Sequence, residues 1–139
     1  MAITLRVKDV MDKKVVRIDA QETVSNVIKK MVEANVWSLV VEKRGLPEGV
    51  VTERDVIRRC LGKGLLPDRM PVEKIMSSPL IIISPDATIR DAMGLMVEKD
   101  IRRLFVVDNG KIIGRVTQTG LFESTLNVMT SLSSISGQL

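Results

Sequence analysis

One ordered pattern of apolar and polar positions runs through this chain and then returns 65 residues later. Residues 7–61 lie over 72–126 without a gap, pairing Met11 with Met76, Thr23 with Thr88, Gly49 with Gly114 and Thr52 with Thr117. Each copy predicts the same elements. A short apolar strand comes first, over 15–18 and again over 80–83. Behind Thr23 the residues Val24, Val27, Ile28, Met31 and Val32 recur at helical spacing, as Ile89, Ala92, Met93, Met96 and Val97 do behind Thr88. Each threonine suits the N-cap, and Asn35 and Asp100 are expected to end these helices. Two β-rich runs follow, 104–107 and 112–116 in the second copy, joined through Asn109-Gly110, a pair that tolerates positive φ and so favours a tight hairpin. In the first copy the connection over 42–49 is looser, and Pro47 argues against a paired central position. A second helix is expected to begin at Thr52 and at Thr117, which makes the unit β-α-β-β-α.

A long period present only twice argues for two copies of a small α/β (α+β) unit rather than a solenoid. Neither copy alone buries much surface, so the two are expected to close on each other as one module, with copies at 1–66 and 67–139 and a core over about 5–127. Residues 62–71 hold two glycines and two prolines and read as a connection. Pro71 is expected in the first turn of a short helix reaching Met76. Residues 121–129 should be helical, and the serine-rich 131–139 should fray.

Composition narrows the chemistry. The chain has no histidine, so the usual general base and the commonest metal ligand are missing. Its single cysteine, Cys60, cannot form an internal disulfide or by itself hold zinc, and it falls on an apolar helix face as a core residue. No nucleophile–base pair is visible, so neither catalytic nor metal-binding residues are assigned. Apolar runs such as 80–83 are far too short to span a membrane, and the first residues lack a secretory pattern, which suggests a cytoplasmic protein. A net charge of +4 and only three aromatic residues make nucleic-acid binding a poor fit.

Three segments in register carry a family resemblance: Val72-Glu73-Lys74-Ile75-Met76 before the strand, Ile101-Arg102-Arg103-Leu104-Phe105-Val106-Val107-Asp108 in the hairpin, and Gly49-Val50-Val51-Thr52-Glu53-Arg54-Asp55 at the strand-to-helix turn. Together with the duplication they resemble a tandem pair of cystathionine-β-synthase-type (CBS) domains, a Bateman module. That resemblance implies two pseudo-symmetric repeats packed through their sheets and a regulatory role without catalysis. It further implies clefts that bind adenosine-containing ligands (AMP, ADP, ATP or S-adenosylmethionine) and a disc-like homodimer.

The turn at Thr52 has its own physical logic. A strand ends and a helix begins there, so unpaired N–H groups and the positive end of the helix dipole favour phosphate. Asp55, one turn in, can set two carboxylate oxygens against the neighbouring hydroxyls of a ribose, with Arg54 beside it for phosphate. The same residues also read as a capping box, which needs no ligand. By analogy with the family, Val50, Leu80, Ile81 and Ile101 would line the adenine at this first site, although a sheet core needs such residues anyway. The second copy has Gly120 where the first has Asp55, which puts its nucleoside site in doubt. Its candidate residues are Val15, Val16 and Val36 for the base, with Thr117, Thr119, Arg102 and Arg103 for phosphate. Trp37 stands where the other copy has Arg102 and suits a dimer surface.

Two further readings compete with a nucleotide-sensing regulatory module acting on a protein partner. One is a ligand-free structural or interaction dimer, and the weaker one is a nucleic-acid binder.

Overall fold

A computed structural model of the chain describes residues 5–136, with side chains described as far as 133. In chain order the elements are α1 (Val7–Val10), β1 (Arg17–Asp19), α2 (Val24–Ala34), β2 (Ser38–Lys43), β3 (Leu46–Thr52), α3 (Glu53–Asp55), β4 (Ile82–Ile83), α4 (Ile89–Lys99), β5 (Arg103–Asp108), β6 (Lys111–Thr117) and α5 (Gln118–Ser136). Helix α3 runs straight on into a π-helical turn (Val56–Cys60) and a 3-10 turn (Leu61–Lys63), stopped by Gly64 in the left-handed region. The expected α/β repeat is present twice, each time around a three-stranded sheet. In each, the first strand is parallel to the second and the second antiparallel to the third.

The helix signals act as their chemistry requires. Thr23 Oγ1 accepts from the Asn26 N–H and Thr88 Oγ1 from the Asp91 N–H, while Asn35 and Asp100 close α2 and α4 in the left-handed conformation. Val24, Val27 and Met31 are buried, whereas Val32 is 76% exposed, and its counterpart Val97 is 82% exposed. The apolar stripe read from the sequence is thus wider than the face the sheet covers. Cys60 is fully buried among core residues, as expected.

Several expectations are corrected. The first strands begin two residues late, at Arg17 and Ile82, although Val40 N–H still donates to the Val16 carbonyl and Phe105 N–H to that of Ile81. Pro47 lies inside β3, paired with Glu42. It is tolerated because β3 is the last strand of its sheet and the register shifts between Val41 and Glu42, so no inward N–H is needed there. Arg44-Gly45, both at positive φ, makes the turn that Asn109-Gly110 makes in the other copy. Pro71 sits just ahead of a 3-10 turn at Val72–Lys74 instead of inside a longer helix. Helix α5 continues to Ser136 through most of the serine-rich stretch, and 137–139 lie outside the described residues.

By packing, the chain forms two compact units. One unit is Val15–Leu80; the other joins residues 5–14 to 81–136. The segment leading into each first strand packs on the other copy's sheet. Val72 and Ile75 therefore belong to the core built on Leu39, Val41 and Val51, while Val7 belongs to that of Leu104, Val106 and Val116. Ser77 exchanges both backbone hydrogen bonds with Val50 (2.8 and 2.9 Å), and Asp12 does the same with Arg115 (3.0 and 2.8 Å).

Glycine makes that approach possible. A Cβ on Gly49 would collide with the Ser77 carbonyl, and one on Gly114 would stand 2.7 Å from the Asp12 carbonyl oxygen and 2.9 Å from the Met11 sulfur. Alanine at either position should therefore cost about 1–3 kcal/mol through overpacking against backbone. Gly94, exposed in the middle of α4 with open space around it, is the contrasting case. Gly94→Ala should stabilise by up to about 1 kcal/mol through helix propensity. Urea unfolding of the three variants checks both signs.

Candidate functional site

The end of β3 turns into α3 at Thr52, and the side chains around that turn form a closed set. Thr52 is extended (φ −118°) and its Oγ1 accepts from the Asp55 N–H at 3.3 Å. The Asp55 carboxylate answers: Oδ2 accepts from Thr52 N–H at 2.9 Å and from Thr52 Oγ1 at 3.2 Å. The capping box is formed. Its other oxygen, Oδ1, accepts from Ser77 Oγ at 3.0 Å, and Arg59 Nε lies 3.8 Å away. Arg59 also donates through Nη1 to the Met76 carbonyl at 3.0 Å and that of Ile75 at 3.3 Å. It sits inside the π turn that follows α3, and π turns of this kind are frequent where a helix has been adjusted for function.

Asp55 is one of two buried polar residues among those described, at 6% exposure, the other being Ser38. Burying a carboxylate is tolerable only with partners, and here it has a backbone donor, two hydroxyls and a guanidinium. A carboxylate offers about four acceptor positions, so a hydroxyl-bearing ligand can add to this set or take the place of Ser77.

Within the chain a second Thr-x-x-Asp turn serves as a control. Thr88 and Asp91 form the same reciprocal cap on α4, with Asp91 Oδ2 accepting from Thr88 N–H at 3.1 Å. There Asp91 is exposed and the hydrogen bonds of its carboxylate stay within the cap, although Thr88 also bridges to Arg6. Burial, Ser77 and Arg59 are what set the Asp55 turn apart. The sequence reading missed both partners because they lie 22 and 4 residues from Asp55, and neither carries a motif of its own. The only available signal was Ser77 following Met76 in the duplicated approach segment.

The other candidates fall as follows. Val50 and Leu80 are half-buried in the Val15–Leu80 unit and Arg54 is exposed there; Ile81 and Ile101 are half-buried in the other unit. Of the second set, Val15 and Val16 are half-buried and Val36 buried in the first unit. Thr117 is half-buried, Thr119 and Arg102 exposed and Arg103 half-buried in the other unit. Thr117 Oγ1 accepts from Gly120 N–H at 3.0 Å, so the second turn keeps its cap and lacks only the carboxylate. Trp37 is 66% exposed.

A duplicated β-α-β-β-α unit with a strand-to-helix threonine turn in each copy defines a tandem α/β module. The family model described as CBS domain matches residues 7–62 and 72–126, and the chain belongs to that family. Pairs of CBS domains are generally regulatory modules. An uncharacterized protein of Methanopyrus kandleri is 36% identical over 122 residues, which is 86% of this chain and 62% of that protein. This chain therefore spans less than two thirds of the length of that relative. Among solved structures, an uncharacterized conserved protein from Pyrococcus horikoshii is 32% identical with a TM-score of 0.83, covering 90% of this chain and 95% of that one. A hexameric CBS-CP12 protein from bloom-forming cyanobacteria is 28% identical with a TM-score of 0.81, covering 87% and 68%. No helix among the described residues is long and apolar enough to cross a membrane.

Two outcomes test this geometry. In a double-mutant cycle, Asp55→Asn and Ser77→Ala should be coupled by about 0.5–3 kcal/mol; additive losses would show the hydroxyl is not engaged. At the control turn, the Thr88 backbone N–H, followed by the Thr88 hydroxyl, holds the Asp91 carboxyl below its ordinary value. The sign follows: this contribution to stability is present above the ordinary carboxylate value and is lost as pH falls through the lowered one. Carboxyl NMR titration should show Asp91 protonating below an unstructured aspartate, and Thr88→Ala should return it toward normal.

Proposed function

We propose that the chain is a regulatory module that binds an adenosine-containing nucleotide (AMP, ADP, ATP or S-adenosylmethionine) at the Thr52–Asp55 turn and passes the bound state to a protein partner. The observation that carries this reading is the state of the Asp55 carboxylate. It is buried, and its Oδ1 accepts a hydrogen bond from the neutral Ser77 hydroxyl, with Arg59 Nε 3.8 Å away. A ribose brings two adjacent hydroxyls and exchanges favourably for one. The helical run beginning at Glu53 directs its positive end at the same turn, and Arg54 is exposed one residue on, which suits a phosphate. The preference for adenine rests on the family resemblance, with Val50 and Leu80 as the apolar residues this unit offers to the base. A ligand acts here only as far as it binds two arrangements of the module unequally.

A ligand-free interaction dimer is the second reading. It is favoured by the matched exposure of Val32 and Val97, by the exposed apolar side chains of Met93, Phe122 and Leu126, and by the hexameric relative. Self-association is compatible with both readings; an answer to nucleotide belongs to the first alone.

The test is calorimetric titration of the four nucleotides into wild type and Asp55→Asn. A hydrogen bond to a charged group contributes roughly 1.5–3 kcal/mol, so the variant should bind about ten- to a hundredfold more weakly. No binding at millimolar nucleotide, or equal affinity in the variant, overturns the ribose assignment.

A further inference from the structure

Both units hold one carboxylate–guanidinium pair near the threonine turn, but in different places. In the Val15–Leu80 unit the pair is Asp55 with Arg59, both on the helical run, and Ser77 comes from the approach segment. Sixty-five residues away stand Gly120, Ser124 and Asp12. The register is fixed by backbone hydrogen bonds: Ser77 pairs with Val50 in one unit as Asp12 pairs with Arg115 in the other. In the second unit the acid has therefore moved from the helix to the approach segment, and its partner stands on β6 at the position of Val50. Asp12 Oδ1 accepts from Arg115 Nε at 2.9 Å and from the Lys14 N–H at 2.8 Å. The Arg115 side chain is only 14% exposed.

We infer that the two copies are unequal: the chain takes one nucleoside, at Asp55, and the Asp12–Arg115 pair closes the Thr117 turn to a second. This rests on the ribose reading above. The argument is the chemistry of the donor a sugar must displace. At Asp55 it competes with the neutral Ser77 hydroxyl, while Arg59 stands off at 3.8 Å and need not move. At Asp12 it competes with a guanidinium in direct contact at 2.9 Å, a bond charged on both sides that a sugar hydroxyl does not match. Displacing it would leave a mostly buried arginine without its carboxylate, which is costly. Gly120 supplies no side chain to compensate, and Arg115 sets a cation where Val50 offers an apolar surface to a base.

The experiment is binding stoichiometry by calorimetry with AMP, ADP, ATP and S-adenosylmethionine, on wild type, Asp55→Asn and the triple variant Asp12→Ser, Arg115→Val, Gly120→Asp. Wild type should bind one nucleotide per chain, weakened at least tenfold by Asp55→Asn. The triple variant, with a cooperative melt as proof of folding, should bind two. Two nucleotides per wild-type chain would overturn the inequality and leave the Asp55 reading standing. So would a folded triple variant that still binds one. A single site untouched by Asp55→Asn, or no binding to wild type, overturns both. The wild-type and Asp55→Asn measurements decide the matter even if the triple variant does not fold.

Discussion

Everything in each unit depends on a stretch of chain lying flat against a strand where a side chain would normally stand. Gly49 and Gly114 leave that space, and the backbone of Ser77 or Asp12 fills it with two hydrogen bonds. The same close approach seats Val72 and Ile75 in one core and Val7 in the other, so sheet pairing and core packing are satisfied together. It also decides the site. Ser77 reaches Asp55 because its backbone is tied to Val50, and Arg59 fastens the preceding carbonyls of Ile75 and Met76.

Much of the fold was readable from local rules. Thr23, Thr88, Asn35, Asp100 and Asn109-Gly110 each act through their own backbone chemistry, and nothing distant competes with them. Pro47 misled because its cost depends on whether the strand lies at an edge, which is a property of the sheet and not of the residue. Val32 and Val97 misled because helical spacing reports which residues share a face, not how much of that face is covered. At the site, Thr52 and Asp55 were legible as a motif. Ser77 and Arg59 were not, because a hydroxyl brought in by strand pairing and a guanidinium brought round by a π turn leave no spacing signature. Thr88 and Asp91 show the converse: the motif alone forms a cap wherever it occurs.

The duplication has kept its backbone and redistributed its charges. Gly49 and Gly114, Thr52 and Thr117, and Met76 and Met11 serve matching structural roles, since each is held by contacts a substitution would break. Asp55 against Gly120 and Val50 against Arg115 are positions where the copies differ, and each copy pairs its own carboxylate with its own guanidinium. The two copies thus differ in where their charges pair while keeping one fold.

Because residues 5–14 complete the unit made from 81–136, and 67–80 complete the one that begins at Val15, cutting the chain midway does not yield two halves. A fragment ending at residue 66 would lack the backbone that lies on Gly49 and the hydroxyl that meets Asp55. It would also carry away the strip that the other piece needs to cover Gly114. Neither product would be a smaller version of the protein, so the physical unit of inheritance is the pair.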